Sequence, residues 1–559
     1  MAEAVGDNEV PSALAPEWPL RPWLLAGLLG LAGLLIHLLT HEREDVAWQV
    51  AAAAFVFFGA LAAAFTLERR RWREPAAFAL VIALLMAGLA WRAVNYGDHL
   101  PDEQYGFASG VVATALALPL FQAGFLKTRL KTAYAEIYHH IWTDAISAAS
   151  SLAFTGLSWV ALASLSKRGQ RRKSDVLKDL MEQGWFGWTF SALAFGAALG
   201  VLRNELKVLA MLRTVVLLVL SLLAVPLAVG LVVFLLATAI SGPSVLWEAT
   251  REATPTLLAC AAGAFVLTCV LVRQDDEAMS RSRVMRIAAL VLAIVILPLA
   301  VFAAVSLGLR LNQYGLAPER LWALVTVIVA CGWGVGYWGL LSRGRTKGGA
   351  QELREANVVL ALATCVLALL LALPILNFGT ISAGNQLHRL ESGKVTPDKF
   401  DFAALRWDLG DAGPRALARL ARSSNARVAE LAAAALAQKQ HVYGAQVKAA
   451  EDFHVRVQPD DPQLKRLVIA YLEGNPWACT ESCVAIDLGS TPTGLRQVAL
   501  VENSTVQKVV FSKSGEGSIA IENSNATYPA LKSNSKVEIG TIAKHYVIVD
   551  GKPVGLPRD

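Results

Sequence analysis

Three ionisable side chains recur at intervals of four residues in one apolar stretch: Glu136, His140 and Asp144. On an α-helix this spacing puts them on one face, with a drift of about 80° from the first to the third. His139 lies beside them. Ionisable groups near a membrane interior are costly and often functional, and histidine titrates near neutral pH. The set is a candidate proton or cation site; the alternative is an interfacial helix start, with Asp144 its deepest member.

Cys479 and Cys483 are a second pair of residues that could do chemistry. In an oxidising compartment they are expected to form a structural disulfide; free thiols and metal or redox chemistry are the alternatives. The other four cysteines fall in apolar stretches, where a thiol most simply packs. No second ligand pair supports zinc. The sequence predicts no metal site, no catalytic residue and no cofactor.

Two glycine-containing strings resemble nucleotide-binding motifs in the wrong context. Residues 334–339 fit the dinucleotide string, but that motif needs a strand before it and a helix after it in a soluble unit. Here it lies in an apolar stretch, so close helix packing through Gly332 and Gly336 is expected. Residues 485–491 resemble the phosphate loop of actin-like ATPases and are predicted to be a strand and turn.

The elements that must position these residues are mostly membrane helices. Hydrophobic residues make up 55% of the 559 and charged residues 17%, against about a quarter charged in soluble domains. A membrane span needs roughly 20 mostly apolar residues. We predict a polytopic α-helical bundle of eleven spans: Trp23–Leu39, Ala47–Leu67, Ala76–Val94, Phe107–Phe125, Thr143–Leu165, Trp185–Leu202, Thr214–Ile240, Thr254–Val272, Ile287–Leu309, Leu321–Leu341 and Val358–Leu376. Four prolines fall inside them: Pro119, Pro226, Pro298 and Pro374.

Loop charges predict the orientation. With the N-terminus in the cytoplasm, the inner loops are basic and the outer loops are acidic or nearly neutral, as the positive-inside rule requires. The net charge of +6 therefore reflects topology, and no nucleic-acid binding is expected. One basic loop, Ser166–Gln183, falls outside by this count. Either it is an outer-surface helix on anionic lipid or another polyanion, or one upstream span pair is miscounted.

The chain divides into four predicted parts: a disordered cytosolic N-terminus (1–20), the membrane domain (21–376), a helical part of an external domain (377–475) and a β-rich part (476–559). The external domain is predicted to be α+β, with short helices before an antiparallel sheet. Helices are predicted at Ile381–Leu390, Gly413–Gln438 with a break at residues 423–425, and Leu464–Leu472, with Asp460, Asp461 and Pro462 as the start signal of the last. Strands are predicted at Cys483–Leu488, Gln497–Glu502, Val506–Ser512, Ser518–Glu522, Lys536–Ile542 and His545–Val549, with a closing turn at 549–553.

The loop between the ninth and tenth spans is a candidate docking element. Pro318 is expected to start the tenth helix, because proline is favoured in the first helical turn. Glu319 then lies favourably near a helix N-terminus. Together with Arg310, Tyr314 and Arg320, it forms a rigid loop that could dock against the external domain.

Three segments carry a family resemblance: residues 310–324, which include Gln-Tyr-Gly-Leu-Ala-Pro-Glu-Arg, residues 381–395 and residues 400–410. They resemble the bacterial membrane family known as domain of unknown function 4153, from about the second span to the strand-rich end. The resemblance implies a bacterial inner-membrane protein. It implies no catalytic residues, since the family has no established activity.

Three functions follow from this organisation. The favoured one is an envelope assembly, sensory or partner-binding protein that displays a periplasmic C-terminal domain, with an envelope protein or a second copy as partner. A secondary transporter or channel for a small solute or ion is the alternative, with its polar site near the fifth span. A membrane enzyme acting on lipid or glycan is the third, and the balance is against an enzyme. In every case the lipid bilayer is the surrounding partner.

Overall fold

The computed structural model of the protein describes most of the chain. The predicted strand Lys536–Ile542 and nearly all of the predicted disordered N-terminus lie outside the described residues. The structure describes residues 18–41, 46–69, 71–97, 99–101, 103–170, 176–241, 253–343, 350–438, 441, 453–479, 482–490, 494–502, 505–512, 517–520, 545–549 and 552–558.

All eleven predicted spans are confirmed as long apolar helices. Two short helices, α5 and α7, lie between them. In chain order the helices are α1 (Arg21–Thr40), α2 (Ala47–Thr66), α3 (Arg73–Tyr96), α4 (Glu103–Gln122), α5 (Phe125–Thr128), α6 (Tyr134–Gln170), α7 (Val176–Glu182), α8 (Gly184–Asn204), α9 (Leu206–Ser241), α10 (Ala253–Val272), α11 (Arg283–Tyr314), α12 (Pro318–Arg343) and α13 (Ala350–Ala372).

Several helices are longer than their predicted apolar stretches, and α13 is also displaced toward the N-terminus. The helix α6 has 37 residues and α9 has 36, because polar first turns extend both beyond the predicted starts. The helix α13 begins at Ala350 rather than Val358, but it ends at Ala372. The prediction that Pro374 lies inside this span is therefore wrong. A proline disfavours helical geometry in the residue before it, so the helix ends upstream.

The largest buried core of the helical unit joins α9, α10, α11 and α12, with Leu292 and Leu299 fully buried. The predicted glycine contact is partly wrong. A Cβ on Gly334 would lie 2.8 Å from Leu297 and one on Gly336 would lie 3.0 Å from Leu360, whereas Gly332 faces open space. The close approach therefore uses Gly334 and Gly336, as expected for small residues between membrane helices.

The helices α1 and α8 make another close crossing. A Cβ on Gly33 would lie 2.6 Å from the carbonyl oxygen of Trp188, and Gly196 and Gly200 approach the α1 backbone with no room for a side chain. Because dispersion contacts grow with close packing, these glycines fix how α1 and α8 pack at both ends of the crossing.

The chain forms two compact units, Met1–Ser382 and Ala383–Asp559. The second unit includes most of α14 (Phe378–Glu391), followed by α15 (Phe402–Trp407), α16 (Ala412–Leu420) and α17 (Ala426–Ala437). The predicted break is confirmed: Asn425 is the N-cap of α17 and accepts a hydrogen bond from the Val428 N–H. These helices bury their own core, with Leu417 and Ala432 at its centre.

The rest of the C-terminal unit is a sheet covered by one helix. A five-stranded sheet has the order β1 (His454–Gln458), β2 (Ser482–Ser490), β3 (Arg496–Glu502), β4 (Thr505–Phe511) and β5 (Gly517–Ala520), while β6 (His545–Val549) pairs with β7 (Lys552–Arg558). The helix α18 (Pro462–Gly474) packs Leu464 and Leu472 into a core that it shares with strands β1 to β4. The α+β class is as predicted, but β1 pairs parallel to β2, so the sheet is mixed rather than antiparallel.

Candidate functional site

The polar face of α6 divides between two sets of neighbours. Glu136 and His139 are exposed, whereas His140 and Asp144 are half-buried. Arg213 of α9 lies 2.7 Å from Nδ1 of His139. Arginine has only donors, so this nitrogen accepts, and His139 is neutral with its proton on Nε2. His140 and Asp144 instead face the charge of Arg203. The four residues therefore do not form one compact site.

Asp144 is the member with an unsatisfied atom. Its Oδ2 is buried, and in the described part of the chain it has no hydrogen-bond partner. Gln122 of α4 lies beside it and donates through Nε2 to the Phe65 carbonyl over 2.9 Å. A buried carboxylate oxygen without a donor costs free energy. The Gln122 side chain and the Arg203 charge are the favourable interactions that offset this cost.

Arg203 is a site residue that the sequence analysis missed. Its side chain donates to the Ala64 carbonyl near the end of α2. The backbone carbonyl of Arg203 in turn accepts a hydrogen bond from the Arg21 side chain over 2.8 Å. These contacts join the start of α1 and the ends of α2 and α8. We call this end of the helical unit, together with the neighbouring helix ends near Arg213 and Arg273, the basic end. The sequence treated Arg203 as one of several loop charges, because nothing along the chain marks its contact with Asp144.

A second missed cluster at the basic end surrounds Arg354 of α13. Its guanidinium donates to the carbonyls of Val272, over 2.8 Å, and Arg273, over 3.3 Å, at the end of α10. It also pairs with Asp276 at 2.8 Å. Arg354 thereby satisfies carbonyls that a helix end leaves without intrahelical partners.

A buried hydrogen-bond network lies one turn farther along α13. The Tyr337 hydroxyl donates to Asn357 Oδ1 over 2.6 Å. The Asn357 Nδ2 lies 3.4 Å from the Tyr134 hydroxyl and 3.6 Å from the Cys269 sulfur. Four helices, α6, α10, α12 and α13, therefore meet through polar side chains. A single asparagine in an apolar stretch is the only sequence signal that could have indicated this network.

The opposite end of the helical unit has one ion pair in a small cavity. Arg92 of α3 lies 2.9 Å from Glu103 of α4, and both side chains are largely buried. Arg92 also donates to the Ala372 carbonyl over 3.4 Å. The cavity, of about 30 Å³, is also lined by Trp322 and Phe378. Its size admits a single water, so it fixes helix ends rather than holding a solute.

The loop between α11 and α12 has the rigid geometry expected of it. Pro318 is the first residue of α12, as predicted. Arg320 donates to the Gly315 carbonyl over 2.9 Å and lies over the Tyr314 ring at 5.4 Å. Glu319 is exposed, and Arg310 has contacts of its own. Docking of this loop on the external domain stays a prediction.

In the C-terminal unit, Cys479 and Cys483 are joined in a disulfide with a Cα–Cα distance of 5.7 Å. A nearby cluster centres on Arg496, which donates to Asp461 over 2.7 Å and to Asp487 over 2.8 Å. Asp461 is also the N-cap of α18, and Asp487 accepts from the Gly489 N–H. Residues 485–490 are thus strand, as predicted, and Asp487 serves the sheet. The last residue of the predicted strand and turn, Thr491, lies outside the described residues.

Within the described residues, no group of three histidine, cysteine, aspartate or glutamate side chains could hold a metal ion. A family model described as Domain of unknown function (DUF4153) matches residues 24–420. The chain belongs to this family. No curated protein and no solved structure matches it.

The extent of the DUF4153 match differs from the expected one. It begins in α1 and ends with α16. It therefore covers the eleven long helices and the first helices of the C-terminal unit. The strand-rich part, which the resemblance was expected to include, lies outside the match. The family supplies a multi-pass membrane class and no established activity.

Proposed function

We propose that this DUF4153 protein is a bacterial inner-membrane protein that displays its C-terminal unit in the periplasm to bind an envelope partner, in assembly or sensing. The disulfide between Cys479 and Cys483 carries the proposal. Disulfides persist in oxidising compartments such as the periplasm and are rare in the cytosol. A compact unit that contains one, attached to a membrane bundle, is suited to act outside the cytoplasm.

The number and charge of the helices support the same orientation. The described residues form eleven helices long and apolar enough to cross a membrane, and an odd number of crossings supports chain ends on opposite sides of the bilayer. Arginines gather at the end where α1 begins, and the positive-inside rule assigns such an end to the cytoplasm. The C-terminal unit follows the eleventh helix and so falls in the periplasm.

Thiol labelling tests this orientation. We expect Val506→Cys, at an exposed position of β4, to react with a membrane-impermeant maleimide in intact spheroplasts. Lys207→Cys, at an exposed position of the basic end, should react only after lysis, and the unmodified protein gives the background. The reverse labelling pattern would place the C-terminal unit in the cytoplasm and overturn the proposal.

Solute or ion transport is the second candidate, favoured by the unsatisfied carboxylate oxygen of Asp144 beside Arg203. Carboxylates within membrane helices are common elements of proton pathways. Asp144→Asn keeps the side-chain shape and removes the charge. Under the partner-binding proposal it should restore the phenotype of a deletion strain. Failure to restore it, with normal amounts of protein in the membrane, would favour transport.

A further inference from the structure

The Tyr138 hydroxyl is the most unusual polar group at the basic end. The Tyr138 side chain is 4% exposed, and in the described part of the chain its hydroxyl has no hydrogen-bond partner. The ring is held between Tyr134 and Trp142, at centroid distances of 5.8 and 6.1 Å. A buried donor without an acceptor costs free energy. Such a group is expected to have an acceptor that the protein itself does not supply.

Two guanidinium groups act on this hydroxyl from neighbouring helices. Arg213 of α9 and Arg273, which follows α10, both lie close enough to interact with it electrostatically. In the described residues neither arginine forms a salt bridge, whereas Arg354 beside them pairs with Asp276. Two positive charges thus act on one phenol donor, and no salt bridge of the described residues neutralises either of them.

The backbone holds Arg273 in this position. Its φ of 52° lies in the left-handed region, which costs roughly 1 kcal/mol or more for a residue with a side chain. Its N–H donates to the Cys269 carbonyl, and its own carbonyl accepts from Arg354. Arg354 is therefore a positioning residue that holds the end of α10.

The three groups flank the apolar stretches of their helices at the basic end. Arg213 directly precedes the charge-free stretch of α9, and Arg273 directly follows the apolar stretch of α10. Tyr138 lies in the polar first turns of α6. All three are therefore at the level where hydrocarbon gives way to headgroups. Arginine and phenol donors at this level match the oxygens of a phosphate group.

We propose that Tyr138, Arg213 and Arg273 form a binding site for a phosphate group, presented either by an anionic phospholipid headgroup or by a soluble phosphate compound. The two arginines supply charge and the tyrosine supplies one directed hydrogen bond. His139 takes part through the hydrogen bond that orients Arg213. The site is independent of the proposed periplasmic partner, since it belongs to the helical unit alone.

The test uses the purified full-length protein in detergent, with thermal unfolding as the readout. One arm titrates phosphatidylglycerol against phosphatidylcholine, and the other titrates sodium phosphate against sodium chloride at equal ionic strength. A saturable stabilisation by phosphatidylglycerol alone identifies a lipid headgroup, and one by phosphate identifies a soluble ligand. Either result supports the site, and the absence of saturable stabilisation in both arms overturns it.

Variants assign the binding to these residues. Arg213→Gln and Arg273→Gln should each weaken binding about 10-fold or more, since a hydrogen bond to a charged group contributes roughly that much. Tyr138→Phe removes a single oxygen and should weaken binding severalfold without unfolding the protein. Arg129→Gln is the matched control, because Arg129 also has a φ of 52° but is exposed. Unchanged binding by Tyr138→Phe, or an equal loss in Arg129→Gln, would overturn the proposal.

Discussion

Arg354 in the helical unit and Arg496 in the C-terminal unit each join segments far apart in the chain, but their partners differ. Arg354 donates mainly to backbone carbonyls at the end of α10. Arg496 donates to two aspartate side chains, one before α18 and one in β2. The first arginine is buried, and the second is partly open to water.

The helical unit repeats the carbonyl contact. Arg203 reaches the end of α2, Arg21 the end of α8, Arg92 the end of α13 and Arg320 the end of α11. Helix C-termini carry a partial negative charge and carbonyls without intrahelical donors. An arginine there satisfies both needs, and of these arginines Arg92 also pairs with a largely buried carboxylate, Glu103. In the C-terminal unit the carboxylates of Asp461 and Asp487 stay partly exposed to water. Their desolvation therefore costs little free energy, and aspartates can serve as the acceptors.

The largest effect is expected from removing Arg354. Arg354→Gln leaves two carbonyls and Asp276 without their donor, and we expect a loss of about 3 kcal/mol in the free energy of unfolding. Hydrogen–deuterium exchange of α10 and α13 peptides in the full-length protein measures it. Asp276→Asn is the control, since the Asp276 side chain is exposed and its change leaves the hydrogen bonds from Arg354 to the two carbonyls in place. If both variants lose the same free energy of unfolding, the hydrogen bonds from Arg354 to the two carbonyls contribute nothing. The contrast drawn between Arg354 and Arg496 would then be wrong.

A smaller effect is expected at the opposite end. Arg92→Gln breaks the ion pair with Glu103 and the contact with Ala372, and we expect a loss of about 2 kcal/mol. Adding Glu103→Gln should recover part of this, because the second change removes the carboxylate left unpaired. Hydrogen–deuterium exchange of peptides from α3 and α4 measures this loss in the free energy of unfolding. Strict additivity of the two changes would mean that the pair does not interact.

Removing the arginine of the C-terminal unit, Arg496, should cost less stability than removing Arg354 or Arg92, and the cost should depend on pH. The hydrogen bond from Arg496 holds the pKa of Asp461 below its usual value. Partial burial acts to raise the pKa of Asp487, but the Arg496 hydrogen bond and the Gly489 N–H outweigh it and lower the value overall. Both pairs therefore stabilise the folded sheet above about pH 4, and this stabilisation is lost as pH falls through the lowered folded values.

Arg496→Gln is expected to cost about 1 kcal/mol at pH 7 and to flatten this acid dependence. Exchange of β2 and β3 peptides, corrected for the intrinsic rate at each pH, measures both quantities. A variant that loses stability below pH 4 as steeply as the unmodified protein would show that these pairs are not its cause.

The smallest effect is expected at an exposed pair. Arg415 and Asp411 are 3.2 Å apart on α16, one turn from each other. Arg415→Gln should change stability by less than about 0.5 kcal/mol, since solvent and salt screen such pairs. The peptide that covers α16 supplies the measurement. A larger loss would mean that exposure does not decide what these arginines contribute.

The sequence predicted the spans well because bilayer thickness imposes a length that composition reveals. It did not predict the contacts between helix ends. The start of α13 was placed at Val358 because Arg354 and its acidic neighbours lower the local hydropathy. The acceptors of Arg354 are carbonyls, which have no sequence signature. Asn357, buried by its contacts with Tyr134 and Tyr337, had no visible partner along the chain.

In the C-terminal unit the misses were short elements whose partners are distant. The strand β1 has five residues and pairs in parallel with β2, across α18, so no hairpin signal marks it. The strand β7 contains Pro553, which argued for a turn. By contrast, Asp461 and Pro462 mark the start of α18 by local chemistry alone, and that start was predicted.

The length of α9 has a consequence for the bilayer itself. Its charge-free part, from Thr214 to Ser241, is about 42 Å long at 1.5 Å per residue, against about 30 Å of hydrocarbon. A tilt of roughly 45° would fit one to the other, just beyond the usual range for membrane helices. Bilayer thickness therefore acts on the inclination of α9, together with the packing of α9 against its neighbours. Thicker membranes would let it stand more upright, so the protein's geometry depends on the lipids of its compartment.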